Sequence, residues 1–385
     1  MVDGVAKLTI DLGNSQTRVT TQYGVNAKGK PRKKTSVLDN RYCTMPEEKV
    51  QVYLNSQIYT EEDSCIFKGK NNEGKDVVYC NGEISNAEFD SLSMRPTALC
   101  KKYSSLASKL AIINGFRRGY EDVAEFTDSD LESINVTWDL VLLLPPEDID
   151  AGAKLLAELA RSITEIDFIM PKLTREITIN GIKVYPEGYC AYIGVLLESK
   201  SKVRSGYAYL ADPETYTLII DIGAGTTDFV LAKGQSIVTS SRFTRTIGGN
   251  NVHQRVRTML KAKNINLPDS AIRKGCEVGK IKSGSKVYDI REEISAAKAD
   301  VSRQLVDAVQ QFFEENMMSV DMISNILVCG GGAEGSDGIE PTANYIVSFM
   351  KEISPNTELV ELPEIDGQKV SPRLLNIIGA SILAE

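Results

Sequence analysis

Two aspartates define the chemistry this chain could perform. Asp11 and Asp221 lie 210 residues apart, each at the end of an aliphatic run and each followed by one apolar residue and a glycine. The two copies read Leu8-Thr9-Ile10-Asp11-Leu12-Gly13 and Leu218-Ile219-Ile220-Asp221-Ile222-Gly223, and in their common register Thr17 falls opposite Thr227. A carboxylate is repelled by phosphate but suits a hydrated Mg²⁺ that touches phosphate. Successive backbone N–H groups in a turn, with Ser or Thr hydroxyls beside them, form a concavity that fits an anion. Two such turns predict a clamp that grips one polyphosphate from both sides.

The second copy is the more specific, because Asp221-Ile222-Gly223-Ala224-Gly225-Thr226-Thr227-Asp228 follows a Leu-Ile-Ile strand. Its glycines admit positive φ and let backbone N–H groups approach an anion without an intervening Cβ. Two other stretches almost spell a P-loop, Gly24-x-x-x-x-Gly29-Lys30 and Gly69-x-x-x-x-Gly74-Lys75. Pro31 and Asp76 then stand where a Ser or Thr hydroxyl should ligate Mg²⁺, and neither stretch separates a buried strand from a helix. Both read as glycine-rich turns.

The elements around these turns alternate between strand and helix. Aliphatic alternation before each Asp reads as a strand, and each Asp-x-Gly as a hairpin turn. Residues 24–100 are uneven and read as an inserted peripheral subdomain, with a basic loop (Lys28, Lys30, Arg32, Lys33, Lys34), the turn Asn71-Asn72-Glu73-Gly74, and short strands such as Val50-Gln51-Val52-Tyr53-Leu54. A helix through Leu106, Leu110 and Ile113 is expected to end near Gly115. The apolar run Val141 to Leu144, closed by two prolines, fits a strand buried on both faces, preceded by a packed Trp138. Leu155, Leu156, Leu159 and Ile163 mark an amphipathic helix, and Ile294, Val301, Leu305, Val309 and Phe312 another within 292–316. A strand at Ile326 to Cys329 runs into Gly330-Gly331-Gly332, and a helix starts near Pro341. The reading is an α/β protein of two related halves.

Bulk properties narrow the class. The 385 residues suffice for two domains, and 42% hydrophobic with 25% charged residues is ordinary for a globular chain. No apolar run is as long as a membrane span, and the first residues lack a signal-peptide layout, so a cytoplasmic location is expected. Seven scattered cysteines with no C-x-x-C pair read as reduced thiols rather than a zinc site. A net charge of −8 argues against direct nucleic-acid binding. His253 is the only histidine, which excludes a histidine dyad, and as a lone helical residue it reads as surface or interface.

Five motifs, in order along the whole chain, resemble those of the actin superfamily, which includes Hsp70-type chaperones and sugar kinases. Asp11 to Arg18 is similar to the first phosphate loop, Pro186-Glu187-Gly188-Tyr189-Cys190-Ala191 to the first connecting helix, and Asp221 to Asp228 to the second phosphate loop. Ile326 to Ala333 resembles the adenosine segment, and Asn376-Ile377-Ile378-Gly379-Ala380 the second connecting helix. Within the superfamily the resemblance is strongest to ParM-like bacterial actins, through Ile182 to Gly188 and a preceding hairpin at Ile177 to Gly181.

The resemblance implies a ribonuclease H-like fold of two related domains with a nucleotide cleft between them. Domain I would comprise 1–199 with 360–385 returning to it, and domain II 200–359. Asp11 and Asp221 would hold Mg²⁺ through water, and Glu187 would position and polarise the attacking water. Gly13, Asn14, Ser15, Thr17, Arg18, Gly223, Ala224, Gly225, Thr226, Thr227 and Gly248 would surround the phosphates of ATP or GTP. Arg18 replaces the lysine usual in this family and keeps its charge on a planar fork. Gly330, Gly331, Gly332 and Ala333 would receive the nucleoside, with Glu277 on the ribose. Glu187 has a plainer reading as a carboxylate at a helix N-terminus.

The function implied is a nucleotide-dependent filament that moves plasmid or phage DNA through a ParR-type adaptor bound to centromere-like DNA. Hsp70-like and small-molecule-kinase readings are weaker: the chain ends at Glu385 just after the second connecting helix, and no base for a sugar hydroxyl stands out. An MreB-like cell-shape actin is the runner-up, although the first residues form no amphipathic membrane helix. A division protein of FtsA type would want a C-terminal amphipathic tail.

Overall fold

The computed structural model describes residues 2–27, 29–56, 59–60, 64–87, 101–335, 338–365 and 367–385. Lys28 of the basic loop and Cys100 lie outside the described residues. The chain divides into two compact units, one of residues 1–144, 148–186 and 384–385, the other of 145–147 and 187–383.

In the first unit Val2–Leu12 pairs antiparallel with Gln16–Val25, which pairs antiparallel with Pro31–Asp39. On its other side Val2–Leu12 runs parallel to Ile134–Leu144, and that strand parallel to Thr178–Pro186. Alternation puts Ala6, Leu8, Ile10 and Leu12 on one face, where they pack against the helix Leu106–Thr127. This helix does not end near Gly115 but continues to an αL cap at Asp128. Gly115 and Gly119 serve close packing instead: a Cβ at Gly115 would lie 2.6 Å from Ile10 Cδ1, and one at Gly119 2.8 Å from the Trp138 ring. Trp138 is fully buried against Phe116 and Tyr120.

A second five-stranded sheet forms the peripheral part, in the order Tyr42–Met45, Asp76–Gly82, Ser64–Lys70, Glu165–Met170, Leu173–Glu176. It starts later than residue 24, since residues 31–39 belong to the main sheet, and it borrows two strands from 165–176. The expected strand at Val50 to Leu54 is a helix, Glu47–Ser56. Val50 is buried with Tyr53 and Leu54 packed beside it, whereas Val52 is exposed, a spacing of three and four rather than two. The two near-P-loops are the turns of antiparallel hairpins, with positive φ at Gly24, Gly29 and Gly74. In place of the expected hairpin at Ile177 to Gly181, Ile177 links two strands, and Thr178 to Gly181 begin the strand Thr178–Pro186, with a register shift between Ile179 and Gly181.

The second unit repeats the main sheet. Tyr216–Ile222 pairs antiparallel with Thr227–Lys233 and parallel with Asn325–Cys329, which runs parallel to Glu358–Leu359. Phe243–Arg245 lies antiparallel on Thr227–Lys233, as Pro31–Asp39 does on Gln16–Val25. One face packs on the helices Gly249–Ala262, Arg291–Glu315 and Thr342–Ile353. The other face packs on Tyr189–Leu196 and Leu375–Leu383. These last two helices meet at glycines: a Cβ on Gly379 would lie 1.7 Å from the Cys190 carbonyl oxygen, and one on Gly194 2.7 Å from that of Leu375. Their mutual packing explains why both fall in the second unit, although the expected boundaries put 187–199 and 360–385 with the first.

Candidate functional site

Both aspartates end a strand at the same place in the same topology. Asp11 is opposite Arg18 and Leu12 opposite Thr17; Asp221 is opposite Asp228 and Ile222 opposite Thr227. Both carboxylates are almost sealed, at 2% and 6% exposure. Burial of that depth requires fixed partners. Arg18 Nη1 donates to Asp11 Oδ2 at 3.0 Å, and Asn376 Nδ2 donates to Asp221 Oδ2 at 2.5 Å. Arg18 thus engages Asp11 through one of its guanidinium nitrogens.

The turn glycines act by close approach. A Cβ at Gly13 would lie 2.3 Å from the Gln16 carbonyl oxygen, and one at Gly223 3.0 Å from that of Thr226. Positive φ, the expected reason, is found at neither; Gly330 alone of the predicted site glycines has it, at +85°. In the first turn Asn40 is the brace, its N–H bonding Ser15 O at 3.2 Å and its Nδ2 bonding Gly13 O at 2.6 Å. Asn14 is half-buried and Ser15 exposed, so both stay accessible to a ligand. Thr17 is fully buried, which turns its hydroxyl away from solvent.

The second unit brings three of the predicted segments together. Gly223 N bonds Thr226 O at 2.8 Å and closes the turn. Gly249 N and Asn250 N bond the carbonyls of Gly223 and Ala224 at 3.0 and 2.7 Å. Gly248 must be glycine there, since its Cβ would lie 2.7 Å from Gly223 O. Thr227, also expected on phosphate, is fully buried and donates to Ile247 O at 2.7 Å, so it holds the Gly248 loop instead. Gly330 touches the same place: its Cβ would fall 2.4 Å from Asp221 Oδ1, and that of Gly332 2.4 Å from Ile222 Cγ2. Gly331 and Gly332 are half-buried and Ala333 buried in the short turn that follows. Ala224, Gly225 and Thr226 are half-buried, leaving their backbone accessible. Glu277 is exposed on the last turn of the helix Asp269–Val278.

Glu187 follows the strand Thr178–Pro186 and precedes the helix Tyr189–Leu196, and it is 6% exposed. Gly188, with φ +71°, turns the chain between them. Asn376 Oδ1 accepts from Gly188 N at 2.9 Å and from Ala191 N at 3.1 Å, satisfying two N–H groups that the helix start leaves open. Sequence reasoning gave Asn376 no role in the site; the signal was an amide side chain in an otherwise apolar helix turn. It missed Asn40 and Lys298 too. Buried Lys298 donates to Glu334 O at 2.9 Å and Glu340 O at 3.1 Å, and loss of hydration lowers its pKa.

The donor chemistry fits a hydrated magnesium ion. Each aspartate has one oxygen fixed by an internal donor, and the missing Cβ of Gly330 leaves room beside Asp221 Oδ1. Among the described residues no group of three or more His, Cys, Asp or Glu could hold a metal directly. A hydrated ion needs only one or two carboxylates.

The fold is that of solved ParM, Alp7A and archaeal actin-homologue structures. The actin-like protein Alp7A has a TM-score of 0.69 at 15% identity, covering 100% of this chain and 96% of its own. ParM from a 15-stranded filament of Clostridium botulinum gives 0.64 at 18%, covering 98% of each chain. Bacillus thuringiensis ParM with ATP gives 0.62 at 14%, covering 99% of this chain and 98% of its own. A family model for the C-terminal part of archaeal MreB-like actin homologues matches residues 219–336. No curated protein matches the sequence. No helix among the described residues is long and apolar enough to cross a membrane.

Proposed function

We propose that this chain is a filament-forming nucleoside triphosphatase of ParM type, polymerising with ATP or GTP and disassembling after hydrolysis. Its task would be to move plasmid or phage DNA in the cytoplasm through a ParR-like adaptor on centromere-like DNA. The observation that carries the reading is the repeated strand–turn–strand with a buried aspartate at the same register position in both copies. Supporting it are the solved relatives, one a filament and another with ATP.

Asp11 and Asp221 would hold Mg²⁺ through water, and the ion would neutralise charge on the transferring phosphoryl group. The backbone around Gly13, Gly223 and Gly248 would orient the phosphates. The turn from Gly330 to Ala333 would accept the nucleoside. Glu187 would hold the attacking water in line; phosphoryl transfer needs placement and charge neutralisation more than covalent help.

The test is light scattering and electron microscopy of purified protein with ATP, GTP and a non-hydrolysable analogue. Nucleotide-dependent polymer that shortens after hydrolysis is expected, and persistent polymer from Glu187→Ala. Hydrolysis by Glu187→Ala at the wild-type rate would remove that carboxylate from its role. The match to archaeal MreB-like actins favours a cytoskeletal alternative, for which filaments would gather on lipid vesicles without an adaptor.

A further inference from the structure

We propose that Asn376 is a positioning residue that couples the occupancy of Asp221 to the placement of Glu187; this rests on the reading above. Asn376 is 7% exposed, and its three side-chain hydrogen bonds all concern the site. Its Nδ2 donates to Asp221 Oδ2 at 2.5 Å, while its Oδ1 accepts from the backbone N–H of Gly188 at 2.9 Å and of Ala191 at 3.1 Å. These partners fix the amide's orientation. Flipped, it would set an oxygen against a carboxylate and an NH₂ against two N–H donors.

A carboxamide is a rigid plane. A shift of the Asp221 carboxylate toward a ligand carries the donor edge with it, and the acceptor edge transmits the movement to Gly188, the residue bonded to Glu187. The oxygen's two lone pairs are both engaged, so the amide cannot follow Asp221 without loading the first turn of the helix Tyr189–Leu196. The segment leading into Asn376 also reaches the glycine turn. Gly330 N bonds Pro372 O at 3.0 Å, and Glu334 takes bonds from Ser371 Oγ and the Arg373 guanidinium. Residues 371–376 thus contact the glycine turn, the second aspartate and the start of the Glu187 helix.

The test compares wild type with Asn376→Ala and Asn376→Asp in three measurements: equilibrium Mg-nucleotide binding, single-turnover hydrolysis, and amide hydrogen exchange of the peptide covering 187–196. Asn376→Ala is expected to slow hydrolysis about 10- to 100-fold while nucleotide affinity stays within about threefold. In wild type, Mg-nucleotide should change exchange at Gly188 and Ala191; in Asn376→Ala that response should vanish. Asn376→Asp keeps the acceptor but sets a second carboxylate oxygen where Asp221 had a donor, so it should slow hydrolysis at least as much as Asn376→Ala. Wild-type hydrolysis by Asn376→Ala, a nucleotide response at Gly188 that survives it, or a fall in rate matched by an equal fall in affinity would overturn the coupling. If Asn376→Ala does not fold, single-turnover hydrolysis by Asn376→Asp at the wild-type rate overturns it alone. Wild type that neither binds nor hydrolyses nucleotide sinks the parent reading and this inference with it.

Discussion

Arg18 and Asp11 form an ion pair, Nη1 to Oδ2 at 3.0 Å, on adjacent strands of the first hairpin. Their side chains are 13% and 3% exposed, so the pair is largely shielded from water. Removing one partner of such a pair costs about 3 kcal/mol, because the other charge stays buried. Arg18→Ala should accordingly lower the melting temperature, and Mg-nucleotide should restore more stability to it than to wild type, since the ion can neutralise the stranded carboxylate. Thermal denaturation with and without Mg-nucleotide decides this. Equal ligand-induced shifts would mean that Asp11 does not face the metal.

Thr227 tests whether the second turn is held from behind. Thr227→Val keeps the volume but removes the donor to Ile247 O, a bond of 2.7 Å in a fully buried place. Urea denaturation should show a loss of about 1–3 kcal/mol. Thr227→Ser should keep most of it. A wild-type midpoint for the valine variant would mean that the bond does not support the loop.

Gly379 tests the crossing of the two helices behind the site. Alanine there would place its Cβ 1.7 Å from Cys190 O, and backbone cannot yield as a side-chain tip can. A loss of about 3 kcal/mol or more, or failure to express folded protein, is expected. A Gly379→Ala protein that melts with wild type would show that the helices do not cross there.

His253 sets a pH dependence. Burial, with a smaller contribution from Arg273 and opposed by Asp269, lowers its pKa from 6.5 to about 4. Between those values the unfolded chain binds the proton more readily than the folded one, so stability is full above about 6.5 and falls as pH drops toward 4. The limit of this loss is about 3 kcal/mol. His253→Gln should flatten the slope in that window relative to wild type; identical slopes would place the acid sensitivity elsewhere.

The strands that carry Asp11 and Asp221 are legible because alternation and the Asp-x-Gly turn are local signals, and the repeat states its own register. The long helix over 106–127 is less so, because a glycine inside a helix looks like an end until Ile10 and Trp138 occupy the space it leaves. Val50 to Leu54 could be read with either period, and packing beneath Tyr53 and Leu54 decides for a helix. In the site, residue types announce the carboxylates and glycines but not their partners. Thr17 and Thr227 follow the turns in sequence, yet strand pleating directs both side chains inward. Asn376 is 155 residues from Asp221, and only the crossing of two helices brings it there.

The proposed function requires that the two turns serve one Mg-nucleotide. Isothermal titration of Mg-ATP and Mg-GTP into wild type, Asp11→Ala and Asp221→Ala tests it most directly. One nucleotide per wild-type chain is expected, with affinity reduced at least about tenfold by either substitution alone, a change of about 1.4 kcal/mol. Two nucleotides per chain, or one aspartate whose removal leaves binding untouched, would contradict it.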